Sequence, residues 1–80
     1  MDSVSARELF EKLKYEGSVN EYGHVEFKRK DKCVGEMFIT FYGNGFVKQD
    51  TYGRAYPINQ KELKAINKYY EEKENREEQN

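Results

Sequence analysis

From Met37 to Tyr42 the chain reads Met-Phe-Ile-Thr-Phe-Tyr, an unbroken run of large or β-branched side chains. A period of two sends Met37, Ile39 and Phe41 to one side of an extended strand, and Phe38, Thr40 and Tyr42 to the other. A strand that is apolar on both sides needs neighbours in its own sheet and a cover on at least one face. Whatever this chain folds into must be built around it.

The cover comes from two amphipathic segments. Ser5 stands three positions before Glu8, the spacing of a capping box, with Val4 and Leu9 at the staple positions. Ala6, Leu9, Phe10 and Leu13 then follow a helical stripe, and Gly17 is placed to cap its end, which predicts a helix over about 5–16. Asn59 and Glu62 repeat the capping spacing, Ile58 and Leu63 repeat the staple, and Leu63, Ile66 and Tyr70 continue the stripe. This second helix is expected over about 60–72. Pro57 sits just outside it, where a missing N–H helps stop the preceding strand.

Between the helices, Val25 and Phe27 alternate with His24, Glu26 and Lys28 as a first strand. A turn through Arg29, Lys30, Asp31 and Lys32 leads to the Met37–Tyr42 strand, and a third strand covers about 46–52 before Gly53. The Gly43-Asn44-Gly45 turn decides how the last two strands pair. A two-residue Asn-Gly turn would put Lys48 and Asp50 on the face of Phe41 and Ile39. A three-residue loop with Gly45 left-handed pairs Phe41 with Val47 and Tyr42 with Phe46, and is preferred because it keeps that face apolar. The expected fold is α+β, in the order α-β-β-β-α: a three-stranded antiparallel meander with both helices packed mainly on one face, that of Met37, Ile39, Phe41 and Val47.

Composition supports one small folded domain. Leu, Ile, Val and Phe make up 16 of the 80 residues, at the border of disorder, but a net charge of only −1 and seven Tyr beside five Phe favour burial. Residues 1–70 form the expected domain. Residues 71–80 hold five Glu against Lys73 and Arg76 and no apolar side chain, so a disordered or frayed helical tail is expected there. No apolar run approaches the roughly 20 residues of a membrane-spanning helix, and MDSVSARELF lacks the basic start of a secretory signal. With a single Cys, the expected compartment is the cytoplasm. The bias towards Lys, Asn, Tyr, Phe and Ile suits an AT-rich bacterial or phage genome.

No catalytic constellation stands out, and neither a metal nor a cofactor is expected. His24 reads as a surface histidine. Cys33 shares the parity of Met37, Ile39 and Phe41 and reads as a small buried hydrophobe. The Gly-Asn-Gly turn lacks the strand-to-helix setting of a phosphate loop.

What remains is binding. Phe38, Tyr42 and Phe46, joined by Tyr52, would form an aromatic patch on the face away from the helices, suited to a protein partner or to self-association as a homodimer. The alternative is nucleic acid, met by Lys28, Arg29, Lys30 and Lys32 together with exposed tyrosines. The leading expectation is thus a small interaction module, not an enzyme.

The α-β-β-β-α order and the length resemble a double-stranded-RNA-binding domain. That family carries lysine-lysine-x-alanine-lysine at the start of its last helix. The matching segment here is Asn59-Gln60-Lys61-Glu62-Leu63-Lys64, with one leading lysine and a glutamate inside it. The departure removes the phosphate clamp, so the resemblance implies the element order and no binding residues.

Overall fold

The computed structural model describes residues 4–43 and 45–78, with side chains as far as residue 74. Helix α1, Ala6–Lys12, begins as its spacing predicts: Ser5 Oγ accepts from the Glu8 amide at 3.2 Å, and Glu8 Oε1 accepts from the Ser5 amide at 3.3 Å. It ends earlier than expected. The Lys14 amide donates to Glu11 O at 2.9 Å and the Tyr15 amide to Phe10 O at 3.0 Å, with Lys14 at φ 72°. This is a Schellman cap with lysine in the left-handed position usually given to glycine. Its apolar contact is the edge-to-face pair of Tyr15 and Phe10, with centroids 5.9 Å apart.

The early stop frees Glu16, expected in the helix, and Gly17, expected as its cap, for a strand with Ser18 and Val19 that the sequence reading did not foresee. Strand β1, Glu16–Val19, pairs antiparallel with β2, Val25–Asp31. Strands β3, Gly35–Tyr42, and β4, Gly45–Asp50, complete a four-stranded antiparallel sheet in the order β1-β2-β3-β4. The three-stranded expectation is therefore corrected by one strand. All of β1 is exposed and lacks apolar alternation, so no period marked it. Gly17 belongs to this strand and does not cap α1. A Cβ there would lie 2.9 Å from Phe27 Cε1, and the Phe27 ring is itself stacked on Phe10 at 3.8 Å. Glycine lets the aromatic ring lie across the edge strand.

Alternation along β3 holds: Met37, Ile39 and Phe41 are buried on the helix side. The pairing of β4 differs from the expected register. Phe41 faces Phe46, Ile39 faces Lys48, and Met37 faces Asp50, while Val47 lies opposite Thr40 on the outer face. Lys48 and Asp50 are thus placed on the core face, against the preference for an apolar one, and both are buried. Each is satisfied there. Lys48 Nζ donates to Glu62 at 2.8 and 3.0 Å, and Tyr15 Oη donates to Glu62 Oε2 at 2.7 Å. Asp50 accepts from Tyr56 Oη at 2.7 Å and from the Tyr52 and Arg54 amides at 2.8 and 3.0 Å. Partners remove the cost of burial on which the apolar argument rested.

After β4, Gly53 at φ 83° turns the chain back, and the Tyr56 amide donates to Lys48 O at 2.9 Å along the outer edge of β4. Helix α2, Gln60–Glu78, opens with the expected box: Asn59 Oδ1 accepts from the Glu62 amide at 2.8 Å, and Glu62 Oε1 accepts from the Asn59 amide at 3.2 Å. Helix α2 runs to Glu78, through most of the segment 71–80 expected as a disordered or frayed helical tail, whose residues 79 and 80 lie outside the described ones. Glu72 reaches α1, its Oε2 accepting from the Ala6 amide at 2.9 Å. Both helices pack on one sheet face, where Phe10, Ala65 and Ile66 meet Phe27, Ile39 and Phe41 in a single core.

Cys33 corrects another expectation. Strand β3 starts only at Gly35, so its parity does not extend to Cys33, which is exposed in the turn. Asp31 shapes that turn by accepting the Cys33 amide at 2.8 Å and the Val34 amide at 3.2 Å.

Candidate aromatic groove

At the end of the sheet where β2 starts and β3 stops, the chain makes a groove of about 250 Å³. Its first wall is set by the β1–β2 turn. Asn20 Oδ1 accepts from the Tyr22 and His24 amides, both at 3.0 Å, and Gly23 at φ 84° completes the reversal. This fixes the backbone of His24, whose ring lies 4.7 Å from Tyr42 at 62°. The second wall is α2, which contributes Tyr69, Tyr70 and Lys73. Lys73 follows Tyr69 by four and Tyr70 by three, so the helical repeat brings all three to one side. Phe41 forms the floor, 4.1 Å from Tyr69 and 5.7 Å from Tyr70 between ring centroids.

The groove combines aromatic surface with a positive rim. Among the described residues, Lys73 is its one charged lining residue and no carboxylate lines it. Burial, helped by the neighbouring Tyr69, raises the Tyr70 hydroxyl above its ordinary 10.0, so Tyr70 is a neutral donor at physiological pH. His24 Nδ1 is buried and has no hydrogen-bond partner among the described residues. A planar group carrying an acceptor or a negative charge suits such a lining. A cation would be repelled by Lys73.

The aromatic residues singled out from sequence divide among three places. Tyr42 is at the groove, 42% exposed. Phe38 is half-buried on the outer sheet face, between Lys28 and Gln49 on the adjacent strands. Phe46 is corrected to the helix side, 6.4 Å from Tyr70 and 6.0 Å from Phe41, because Lys48 and its ion pair fix the other register. Tyr52 is 85% exposed in the turn after β4, at the opposite end of the sheet from Tyr42. They do not form one patch. Tyr69, Tyr70 and Lys73, which line the groove with Tyr42, were not singled out, and His24, which joins them, reads from sequence as a surface histidine. The tyrosines read as stripe residues and Lys73 as tail, and their spacing was the available signal.

None of the family models, curated proteins or solved structures matches the chain. The fourth strand departs from the three-strand order of the double-stranded-RNA-binding resemblance. Glu62, at the position of that family's lysine stretch, is buried against Lys48.

The basic residues are also divided. Strand β2 continues through Asp31, so alternation sends Lys28 and Lys30 to one face and Arg29 to the other. Lys28, Arg29 and Lys30 nevertheless border a second groove of about 380 Å³ with Lys14, Glu16 and Glu36, whereas Lys32 is not among its lining residues. Arg29 lies over the Tyr15 ring at 5.2 Å, and its Nε is buried without a partner among the described residues. Its ion pair with Asp31 and that of Lys28 with Glu36 are both long, at 3.7 Å.

The Tyr15–Glu62–Lys48 cluster is the most densely bonded polar group, yet it lines none of these grooves. Its geometry serves the fold. Among the described residues, no group of three or more His, Cys, Asp or Glu side chains is placed to hold a metal, and no helix is long and apolar enough to cross a membrane.

Proposed function

We propose that the chain is a small protein-binding module, and that its groove at the sheet end receives an aromatic side chain of a partner with an acidic group beside it. The observation that carries this reading is the gathering of His24, Phe41, Tyr42, Tyr69 and Tyr70 around one groove whose only charge among the described residues is Lys73. Aromatic walls reward a flat apolar insert, and an ammonium at the rim rewards a neighbouring carboxylate. The module works by binding, without a chemical step. An exposed free thiol at Cys33 suits a reducing compartment, which supports action inside the cell.

The test is selection of peptides from a displayed random library on the folded protein, followed by affinity measurement on variants. Enriched peptides are expected to place Phe, Tyr or Trp next to Asp or Glu. Tyr42→Ala and Lys73→Glu should each weaken binding about tenfold, equivalent to about 1.4 kcal/mol. Affinities that neither variant changes would refute the site.

A second reading has its own observation. Lys14, Lys28, Arg29 and Lys30 line one groove with Glu16 and Glu36, and the ion pairs of Lys28 and Arg29 are long, at 3.7 Å, which supports a phosphate backbone as ligand. It requires retardation of DNA or RNA that weakens steeply with salt and with Lys30→Glu. No retardation at low salt ends it.

A further inference from the structure

A different surface carries its own partner chemistry. Helices α1 and α2 are joined at one end by the Ala6–Glu72 bond, and a groove runs between them towards the end of α1 and the start of α2. Half-buried Leu9 and Leu13 form its floor, one helical turn apart. Lys12 stands on the α1 side, and Lys61 and Lys64 on the α2 side, around a volume of about 290 Å³. The groove continues past Lys68, where its one lining carboxylate, Glu71, is bonded to Lys68 at 3.4 Å. Lys12, Lys61 and Lys64 have no ion pair among the described residues.

The positions of Lys61 and Lys64 are unfavourable for the helix itself. They lie at the start of α2, where the macrodipole favours acids, and the acid present in that turn, Glu62, is turned inward to Lys48. Positive charge is therefore concentrated beside an apolar floor, and the first turn of α2 gains nothing from Lys61.

We propose that this groove docks an acidic amphipathic helix of a protein partner, its apolar residues on Leu9 and Leu13 and its carboxylates on Lys12, Lys61 and Lys64. Lys61, Lys64 and Lys68 are spaced i, i+3, i+7, so the positive line extends over about two helical turns, matching carboxylates at i and i+4 of an opposing helix. The leucine floor favours a polypeptide over a nucleic acid, whose sugar-phosphate backbone would leave it unfilled. The site shares no lining residue with the aromatic groove, and it does not depend on that groove's function.

The experiment uses the full chain and three labelled probes: a designed 16-residue amphipathic helix with leucines at i, i+4 and glutamates flanking them, a scrambled peptide of equal composition, and a single-stranded RNA of equal charge. Fluorescence anisotropy should show the amphipathic peptide binding at least tenfold more tightly than either control. Amide shifts in the bound protein should centre on Leu9, Lys12, Leu13, Lys61 and Lys64. The Lys61→Glu/Lys64→Glu variant should melt at an equal or higher temperature, since acids suit the helix start, yet lose at least tenfold in affinity. Tyr42→Ala should change nothing. Equal binding of the scrambled peptide or of RNA, shifts centred elsewhere, or no binding of the amphipathic peptide would each overturn the proposal.

Discussion

Lys48 Nζ lies 2.8 Å from Glu62 Oε1, with the two side chains 8% and 1% exposed. Strand β4 and helix α2 are thereby joined by an ion pair on the core face of the sheet. Tyr15 adds a donor to the same carboxylate from the residue that closes the α1 cap. One glutamate therefore links three elements. It also selects the β4 register, because a shift by one residue would turn Lys48 to the outer face and leave Glu62 buried without its cation.

Breaking this pair on one side should cost more than replacing it. Lys48→Met leaves a buried carboxylate and should destabilise the domain by about 3 kcal/mol. Glu62→Gln keeps the capping acceptor for Asn59 but strands the ammonium. The double variant Lys48→Met/Glu62→Gln should be less unstable than the sum of the singles by about 2 kcal/mol. Urea unfolding of the four proteins, compared at equal m-value, measures that difference. Strict additivity would mean the pair has no coupling.

Stability should fall at both pH extremes, for different groups. Burial pushes the Glu62 carboxyl up, but the hydrogen bonds from Lys48, Tyr15 and the Asn59 amide outweigh it and hold it below its ordinary 4.5. Asp50 is held below 3.8, chiefly by Tyr56, and Asp31 chiefly by the Cys33 amide. Lowered folded values mean that the unfolded chain takes up protons first. This stability is present above about pH 4.5 and is lost as pH falls through the folded values. Burial, then the bond to Glu62, raises the Tyr15 hydroxyl well above 10.0, so the unfolded state loses that proton first and stability declines above pH 10. Urea midpoints from pH 2 to 11 should show both limbs, with Glu62→Gln flattening the acid limb and Tyr15→Phe the alkaline one.

Gly17→Ala should destabilise by about 1–3 kcal/mol, since the new methyl group must displace a Phe27 ring held against Phe10. Lys14→Gly, at φ 72°, should leave the melting temperature equal or higher. Thermal melts of the two variants check both, and their opposite signs distinguish edge-strand packing from a general glycine effect.

Cys33 should react with a thiol reagent in the native protein at the rate of an open thiol, without global unfolding. Cys33→Ser should shift stability by no more than about 0.5 kcal/mol. Protection that is lost only in denaturant would place the thiol in the core.

The caps at Ser5–Glu8 and Asn59–Glu62 and the alternation of β3 follow from the sequence by itself. Each depends on residues within about one helical turn or one strand, so local spacing contains the information. Tertiary structure decided where α1 stops, the existence of β1, the side to which Phe46 turns, and the groove around Tyr42. Lys14 adopts a left-handed conformation because Tyr15 gains Phe10 nearby and Glu62, 47 positions away. Lys48 tolerates the core face because Glu62, 14 positions on, meets it there. The energy of a buried charge depends on a partner that only the folded chain brings close, which is why a rule of apolar parity chose the other register.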